Sequence, residues 1–346
     1  MSQSTKFLIA GLGSIGRRHF RNLIALGEKD IVLLRSRRAT LPEDELAGYP
    51  VETDIHEALK KHKPEAVIVA NPTALHLDVA IPAAEAGCHI LLEKPVSDSL
   101  DRLDVLQEAA GKSGSRILVG FQFRHHPALN RARELIRQGA LGQILTVHAH
   151  WGEYLPQWHP WEDYRRGYAA RADLGGGVIR TLTHPLDYLR YLIGEVEALW
   201  SFNAHLSPLE IDVEDVAEIG LKFTNGAIGG VHLNYFQRPP VHKLEIAGAG
   251  GTLRWDNADG VLHFYNMPAE FGSYSENPPA PALERFAPPQ GFERNHLFIS
   301  QAKHFIDVAR RKAEPVCDLN DGVQAMRLAL AAIESQRDKK VVLLLE

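Results

Sequence analysis

Phe7-Leu8-Ile9-Ala10-Gly11-Leu12-Gly13-Ser14-Ile15-Gly16 is the stretch whose reading decides the fold. A short apolar strand runs straight into a G-x-G-x-x-G turn, and Arg17-Arg18-His19-Phe20-Arg21-Asn22-Leu23-Ile24 follows with helical apolar spacing. The first glycine allows a tight turn, the second lets backbone approach a phosphate, and the third packs the helix against the strand. The N-terminal amides of that helix then face an anion. Gly11, Leu12, Gly13, Ser14, Ile15 and Gly16 therefore read as the cradle of a dinucleotide pyrophosphate.

Outward from this stretch, short apolar strands alternate with helical patterns as far as residue 122: Phe7 to Ala10, Ile31 to Leu34, Val67 to Ala70, His89 to Leu92 and Ile117 to Val119. The segments His76 to Ala86 and Leu100 to Lys112 are long enough to be the crossover helices that parallel strands require. Beyond Phe123 the strands lengthen and alternate, at Ile144 to Trp151, Val196 to Ala204, Val213 to Phe223, Ala227 to Phe236, Val241 to Ala247 and Thr252 to Trp255. Asn225-Gly226 and Gly248-Ala249-Gly250-Gly251 are hairpin turns between them. Two helices close the chain, near His296 to Arg311 and Gly322 to Gln336. The expected fold is α/β: a doubly wound parallel sheet of Rossmann type over residues 1–122, then an α+β domain with an open, mostly antiparallel sheet over 123–346 that binds substrate and self-associates. The proline- and serine-rich stretch from Met267 to Gln290 reads as a surface loop or a lid.

Composition narrows the function. The 346 residues are 45% apolar and 23% charged, the profile of a globular chain large enough for two cores. The formal net charge of −5 gives no general attraction to nucleic acid or anionic lipid. No apolar run reaches membrane-spanning length, no secretory signal is evident, and the two cysteines, Cys88 and Cys317, suit a reducing cytoplasm. No H-E-x-x-H pattern or paired cysteine spacing suggests a metal site, and no nucleophile elbow occurs.

Positive charge gathers at Arg35-Ser36-Arg37, where the second strand ends. An acidic residue about 20 residues past the glycines usually binds the adenosine ribose of NAD. Guanidinium forks and a hydroxyl suit a 2′-phosphate instead, so NADP(H) is favoured and NAD(H) stays open.

Further landmarks follow in order: Asn71-Pro72-Thr73 with His76, Glu93-Lys94-Pro95 after a strand, Gln122, Arg124, and Gly175-Gly176-Gly177 leading to His184 and Asp187. With the glycine turn they make the chain resemble the Gfo/Idh/MocA family over nearly its whole length. That resemblance implies a Rossmann domain joined to an open antiparallel sheet, the active site lying in the cleft between them, and NAD(P)-dependent oxidation or reduction of a secondary hydroxyl on a sugar, sugar acid or cyclic polyol. It assigns Lys94 to the nicotinamide and the reacting hydroxyl, Glu93 to the ribose side of the cofactor, His184 to the general base, and Asn71, Pro72, Thr73, His76 and Gln122 to the cofactor. Arg124 and Asp187 fall to the substrate, although Asp187 could equally cap its helix. An imidazole with an unperturbed pKa near 6.5 suits proton transfer at neutral pH.

One position departs from the family pattern. Polyol-oxidising relatives carry an aspartate four residues before the histidine, where this chain has Arg180. Arg180 could face away, could leave His184 to act as a neutral base, or could grip an anionic substrate; the last is favoured, because a bidentate guanidinium matches a carboxylate or phosphate. The segment Trp158-His159-Pro160-Trp161-Glu162-Asp163-Tyr164-Arg165-Arg166 mixes rings that stack on sugar faces with groups that pair with hydroxyls or acids, and His159 is a second candidate proton shuttle. Trp158, His159, Trp161 and Tyr164 are therefore candidate substrate contacts, with domain sealing as the alternative role for the tryptophans. Two other functions stay open: a glycosidase-type elimination with transient redox, and a dinucleotide-binding sensor without catalysis. The exposed face of the second sheet calls for a homodimer or homotetramer.

Overall fold

The computed structural model describes residues 5–35, 44–267, 271–277 and 279–344. The chain divides into two compact units, neither continuous in sequence: Met1–Gln122, Ala172–Gly176 and Glu293–Met326 form unit 1, while Phe123–Arg171, Gly177–Phe292 and Arg327–Glu346 form unit 2. Among the described residues, no helix is long and apolar enough to cross a membrane.

Unit 1 is built on strands β1 (Phe7–Ala10), β2 (Ile31–Leu34), β3 (Val51–Glu52), β4 (Ala66–Val69), β5 (His89–Leu92) and β6 (Ile117–Val119). All pair in parallel, in the order β3-β2-β1-β4-β5-β6. Every residue of β1, β2, β4, β5 and β6 is buried, as parallel strands covered on both faces must be. The helices between them are α1 (Ser14–Ala25), α2 (Ile55–His62), α3 (His76–Glu85) and α4 (Leu103–Ser113). Strand order reverses between β1 and β4, so the carboxyl ends of these two strands form the topological switch point where such sheets bind ligands. β3 escaped the sequence reading, since two half-buried residues carry no periodicity. Helix α8 (Arg294–Ala309) returns to this unit and packs beside α1. There Asn22 and Asn295 exchange side-chain hydrogen bonds of 3.5 and 3.0 Å, and Phe305 meets Phe7 edge to face.

Unit 2 contains α5 (Pro127–Arg137), α6 (Val178–Thr181), α7 (His184–Ile193) and a nine-stranded sheet. Its strands are β7 (Ile144–Tyr154), β8 (Val196–Ala204), β9 (Val216–Phe223), β10 (Ile228–Asn234), β11 (Phe236–Gly248), β12 (Gly251–Asp256), β13 (Leu262–Asn266), β14 (Ala282–Phe286) and β15 (Val342–Leu343). They run in the order β14-β13-β12-β11-β7-β10-β9-β8-β15, antiparallel except for β7 with β10. Helix α9 (Leu319–Asp338) crosses from the residues of one unit to those of the other at Met326. Both expected hairpin turns form. Gly226 takes φ +88° while the Asn225 side chain accepts from Ala227 N, and Gly248 pairs with Gly251. The stretch from Met267 to Gln290 is corrected in part: Ala282–Phe286 is an edge strand on β13, which the surrounding prolines concealed.

Alternation along these strands sends Val147, Ala149, Trp151, Leu244, Ile246 and Trp255 to a buried face. The opposite face carries cross-strand rows such as Trp200-Gly220-Gly230-His148-Glu245-Arg254. Trp200, Phe202 and Ile228 are exposed there.

Candidate active site

In unit 1 the glycine turn meets the demands of a pyrophosphate. Gly11 has φ +90°, and a Cβ on it would lie 2.5 Å from Asn71 N; a Cβ on Gly16 would lie 1.9 Å from Gly11 O. Gly13 is different, because a Cβ there would meet nothing within 4 Å. The space is open where a ligand has to come close. Gly13 is also the N-cap of the twelve-residue α1; no side chain caps it, and the first turn has no acidic residue. The first amides of α1 are thus left for an anion, which is the fit a dinucleotide needs.

Around this cradle, Asn71 follows β4, donates Nδ2 to Leu75 O at 2.8 Å, and buries its Oδ1 with no protein partner. His76 lies with Nδ1 3.0 Å from Pro95 O and Nε2 3.0 Å from Asn71 O, tying the loop after β4 to the loop after β5. Burial holds its pKa down, so the neutral ring donates to one of these carbonyls. Thr73 is buried and packs near Gly175, whose φ is +80°. Gln122 is buried just past β6. Arg35 follows β2, is almost wholly buried, and bonds its backbone N to Glu52 O. Ser36 and Arg37 lie outside the described residues.

Glu93 and Lys94 stand at the carboxyl end of β5, the ligand-binding end of a parallel sheet. Glu93 is buried, and its two oxygens are engaged by His19 Nε2 at 2.7 Å and Lys94 N at 3.3 Å. Burial, the largest influence, pushes its carboxyl up. The hydrogen bond and charge of His19 and the Lys94 ammonium outweigh burial and hold Glu93 below the usual carboxylate range. Lys94 is half-buried. His19 was not singled out from the sequence, since its partner is 74 residues away and only the helix face reveals it.

In unit 2, His184 opens α7 with Pro185 in the first turn, where the missing N–H costs nothing. Its ring is buried among aromatics: Phe123 lies edge-on at 5.0 Å and Trp151 stacks at 5.4 Å. Trp151 in turn stacks on His242 at 4.2 Å, and His242 lies 3.3 Å from the Tyr188 hydroxyl. This ring cluster was not legible in the sequence, because its members come from β7, α7 and β11. Arg124 and Asp187, read as substrate groups, pair with each other. Both are buried, with Nη2–Oδ1 at 2.7 Å and Nε–Oδ2 at 3.1 Å, fixing the turn Gln122–His125 to α7.

Arg180 lies on α6, half-buried, and its charge acts on Glu214. In the aromatic segment Trp158 sits edge-on to Tyr235 at 5.5 Å and buries its Nε1 without a protein partner. His159 tilts against Trp161 at 5.4 Å, and Trp161 is 64% exposed. The Tyr164 hydroxyl accepts from Glu210 N, while Asp163, Arg165 and Glu210 tie the segment down through ion pairs. Among the described residues, no group of three or more His, Cys, Asp or Glu is arranged to hold a metal ion.

Residues 5–121 match the family model described as "Oxidoreductase family, NAD-binding Rossmann fold", and residues 129–254 match the "GFO/IDH/MocA C-terminal domain". The chain belongs to the Gfo/Idh/MocA oxidoreductase family. It is an NAD(P)-dependent oxidoreductase of this family, whose members act on CH–OH groups. It is 26% identical over 98% of its length to the myo-inositol 2-dehydrogenase of Thermotoga maritima, 98% of which is covered. In fold it is similar to levoglucosan dehydrogenase solved with NADH and levoglucosan (TM-score 0.85, 21% identity, 99% of this chain and 100% of that one). A second similar fold is the WlbA dehydrogenase of Bordetella pertussis with NADH and UDP-GlcNAcA (TM-score 0.81, 22% identity, 99% and 100% covered). Against the family pattern, Arg180 remains the departure in this chain, and it stands on the short helix whose backbone Ile179 N donates to the Glu214 carboxylate.

Proposed function

We propose that this protein transfers a hydride between a nicotinamide and a secondary hydroxyl of a sugar, sugar acid or cyclic polyol, and that its substrate is anionic. The observation that carries the reading is Lys94 at the carboxyl end of β5, its neighbour Glu93 locked by His19 in the same unit as the open glycine cradle. Gly11 to Gly16 would hold the pyrophosphate, with Asn71, Pro72, Thr73 and Gln122 near the rest of the cofactor. Bound there, the nicotinamide supplies the donor or acceptor of the hydride. The Lys94 ammonium donates a hydrogen bond to the reacting oxygen and steadies its developing negative charge. His184, buried among rings that exclude water, takes or returns the hydroxyl proton. Arg180 pairs with a carboxylate or phosphate of the substrate, and Trp158, His159, Trp161 and Tyr164 meet its sugar ring. Support for the anionic substrate comes from Arg180 itself and from WlbA, which holds the acidic sugar nucleotide UDP-GlcNAcA.

NADP(H) is the proposed cofactor, on the strength of Arg35 where a ribose-binding acid usually stands, although the two structures of similar fold hold NADH. The test is a cofactor-saturated screen of neutral sugars, uronic acids and nucleotide sugars, read by nicotinamide absorbance and by thermal shift. Turnover of an acidic sugar, lost by about 10²- to 10⁴-fold in Lys94→Met with cofactor affinity retained, is the expected result. Product formation without net absorbance change would instead indicate elimination with transient redox. Tight cofactor binding with no turnover across the panel would indicate a sensor.

A further inference from the structure

The two chain neighbours of Lys94 are each tied to a buried histidine from a different helix. On the amino-terminal side His19, on α1, holds the Glu93 carboxylate, with Nε2 2.7 Å from Oε1; its own side chain is wholly buried and that of Glu93 nearly so. On the carboxyl-terminal side His76, which opens α3, lies with Nδ1 3.0 Å from Pro95 O. Glu93 is held in further directions. Its Oε2 accepts from Lys94 N at 3.3 Å, and its backbone N donates to Val69 O at 3.0 Å. A Cβ on Gly120 would fall 2.9 Å from Oε2, so glycine at that position leaves the carboxylate room to lie where it does.

Helix α1 leads off from β1, and β5 lies two strands away in the sheet. The bond between His19 and Glu93 therefore joins the helix whose N-terminus forms the cradle to the strand end that carries Lys94. The other ring nitrogen of His19, Nδ1, is buried without a protein partner, and Phe298 meets the ring edge to face at 6.4 Å. The polar engagement of this ring thus falls on Glu93, where a hydrogen bond to a buried carboxylate is among the stronger kinds. Without it, Glu93 would keep only the longer bond from Lys94 N. A buried carboxylate so placed takes a proton or turns toward solvent, and the backbone at Lys94 loses the post on which it closes.

We infer that His19 is a positioning residue: acting through Glu93, it sets the backbone at Lys94, and with it the nicotinamide half of the site, from the helix that serves the pyrophosphate. The inference rests on the reading of Lys94 as the neighbour of the nicotinamide. It separates the two halves of the cofactor. Loss of the bond between His19 and Glu93 costs affinity for the nicotinamide half and spares the half that the glycine turn holds.

The test compares, by calorimetry, the binding of NADPH with that of 2′-phospho-ADP-ribose, and of NADH with that of ADP-ribose; the second probe of each pair lacks the nicotinamide. In His19→Leu the whole dinucleotide should bind weaker than to the wild type by about tenfold or more, with affinity for the truncated probe kept within about twofold. His19→Gln, whose amide can donate to Glu93, should recover most of the loss. Glu93→Gln removes the carboxylate at the other end of the bond and should show the same split. The double variant His19→Leu/Glu93→Gln should cost no more than the larger single one, since both act through one interaction. Equal weakening of both probes, no weakening of either, or additive losses overturns the inference and leaves the cofactor reading intact. Should His19→Leu fail to fold, the split in Glu93→Gln decides. A wild type that binds the dinucleotide no better than the truncated probe removes the nicotinamide reading of the Lys94 end, and the inference with it.

Discussion

Gly11 and Gly13 are two residues apart and obey opposite constraints. Gly11 is held by the protein itself, by a positive φ and by the backbone of Asn71, so Gly11→Ala should destabilise unit 1 by at least about 1–3 kcal/mol in denaturant unfolding. Gly13 has room for a methyl group and a φ of −73° that any residue accepts. Gly13→Ala should therefore leave the unfolding midpoint close to wild type while weakening dinucleotide affinity by tenfold or more, as measured by fluorescence titration. Equal effects of the two variants on both quantities would contradict the division of labour. The same contrast explains what could be read at this scale. The glycine turn is contiguous, so its spacing is visible in the chain, although Gly11 is held by the backbone of Ala70 and Asn71 at the end of the neighbouring strand. Lys94 and His184 are likewise proposed from local motifs. His19, Glu214 and the stacking rings Trp151 and His242 were not, because their significance lies in partners brought by other elements.

The element scale is where buried polar groups decide stability. His126 is the N-cap of α5, its Nδ1 accepting from Ala128 N, and burial pushes its pKa down to about 4. The folded state therefore resists a proton that the unfolded chain accepts near pH 6.5, and stability is full above that value and lost as pH falls toward 4. The loss between pH 7 and about pH 5 should be about 2 kcal/mol. His126→Asn keeps an acceptor at the cap but cannot titrate, so its stability should vary less over this range by about that amount in urea unfolding at the two pH values. A second element-scale prediction concerns the pair Arg124–Asp187. Asp187→Asn leaves a buried guanidinium without its counter-charge and should cost about 3–5 kcal/mol, whereas Arg124→Met/Asp187→Leu should recover much of that loss in thermal unfolding. Of the elements themselves, the long ones were legible because their periodicity runs over many residues. β3 and β14 were not, since one is two residues long and the other is an exposed edge among prolines, where pairing with a neighbour rather than apolar alternation makes the strand.

For the whole molecule, the open face of the nine-stranded sheet is the feature with a consequence. Trp200, Phe202 and Ile228 project from it into solvent, and we propose that two copies of the chain cover one another there. Phe202→Asp/Ile228→Asp should convert the assembly to a smaller species in sedimentation velocity without lowering the unfolding temperature of the protomer by more than a few degrees. A wild type that sediments as a monomer at micromolar concentration would rule the proposal out.

Taken by itself, the chain determined the parallel sheet, its glycine turn and the longer antiparallel strands, because their signals repeat within a turn or a strand length. Only the tertiary structure decided that Glu93 answers to His19 across 74 residues, that Arg124 and Asp187 neutralise each other across 63, and that the Glu214 carboxylate accepts from the backbone of the helix that carries Arg180. The physical reason is that a charge or hydrogen bond has no fixed meaning along a sequence. Its partner, and the water excluded around it, exist only once distant strands and helices have been brought together.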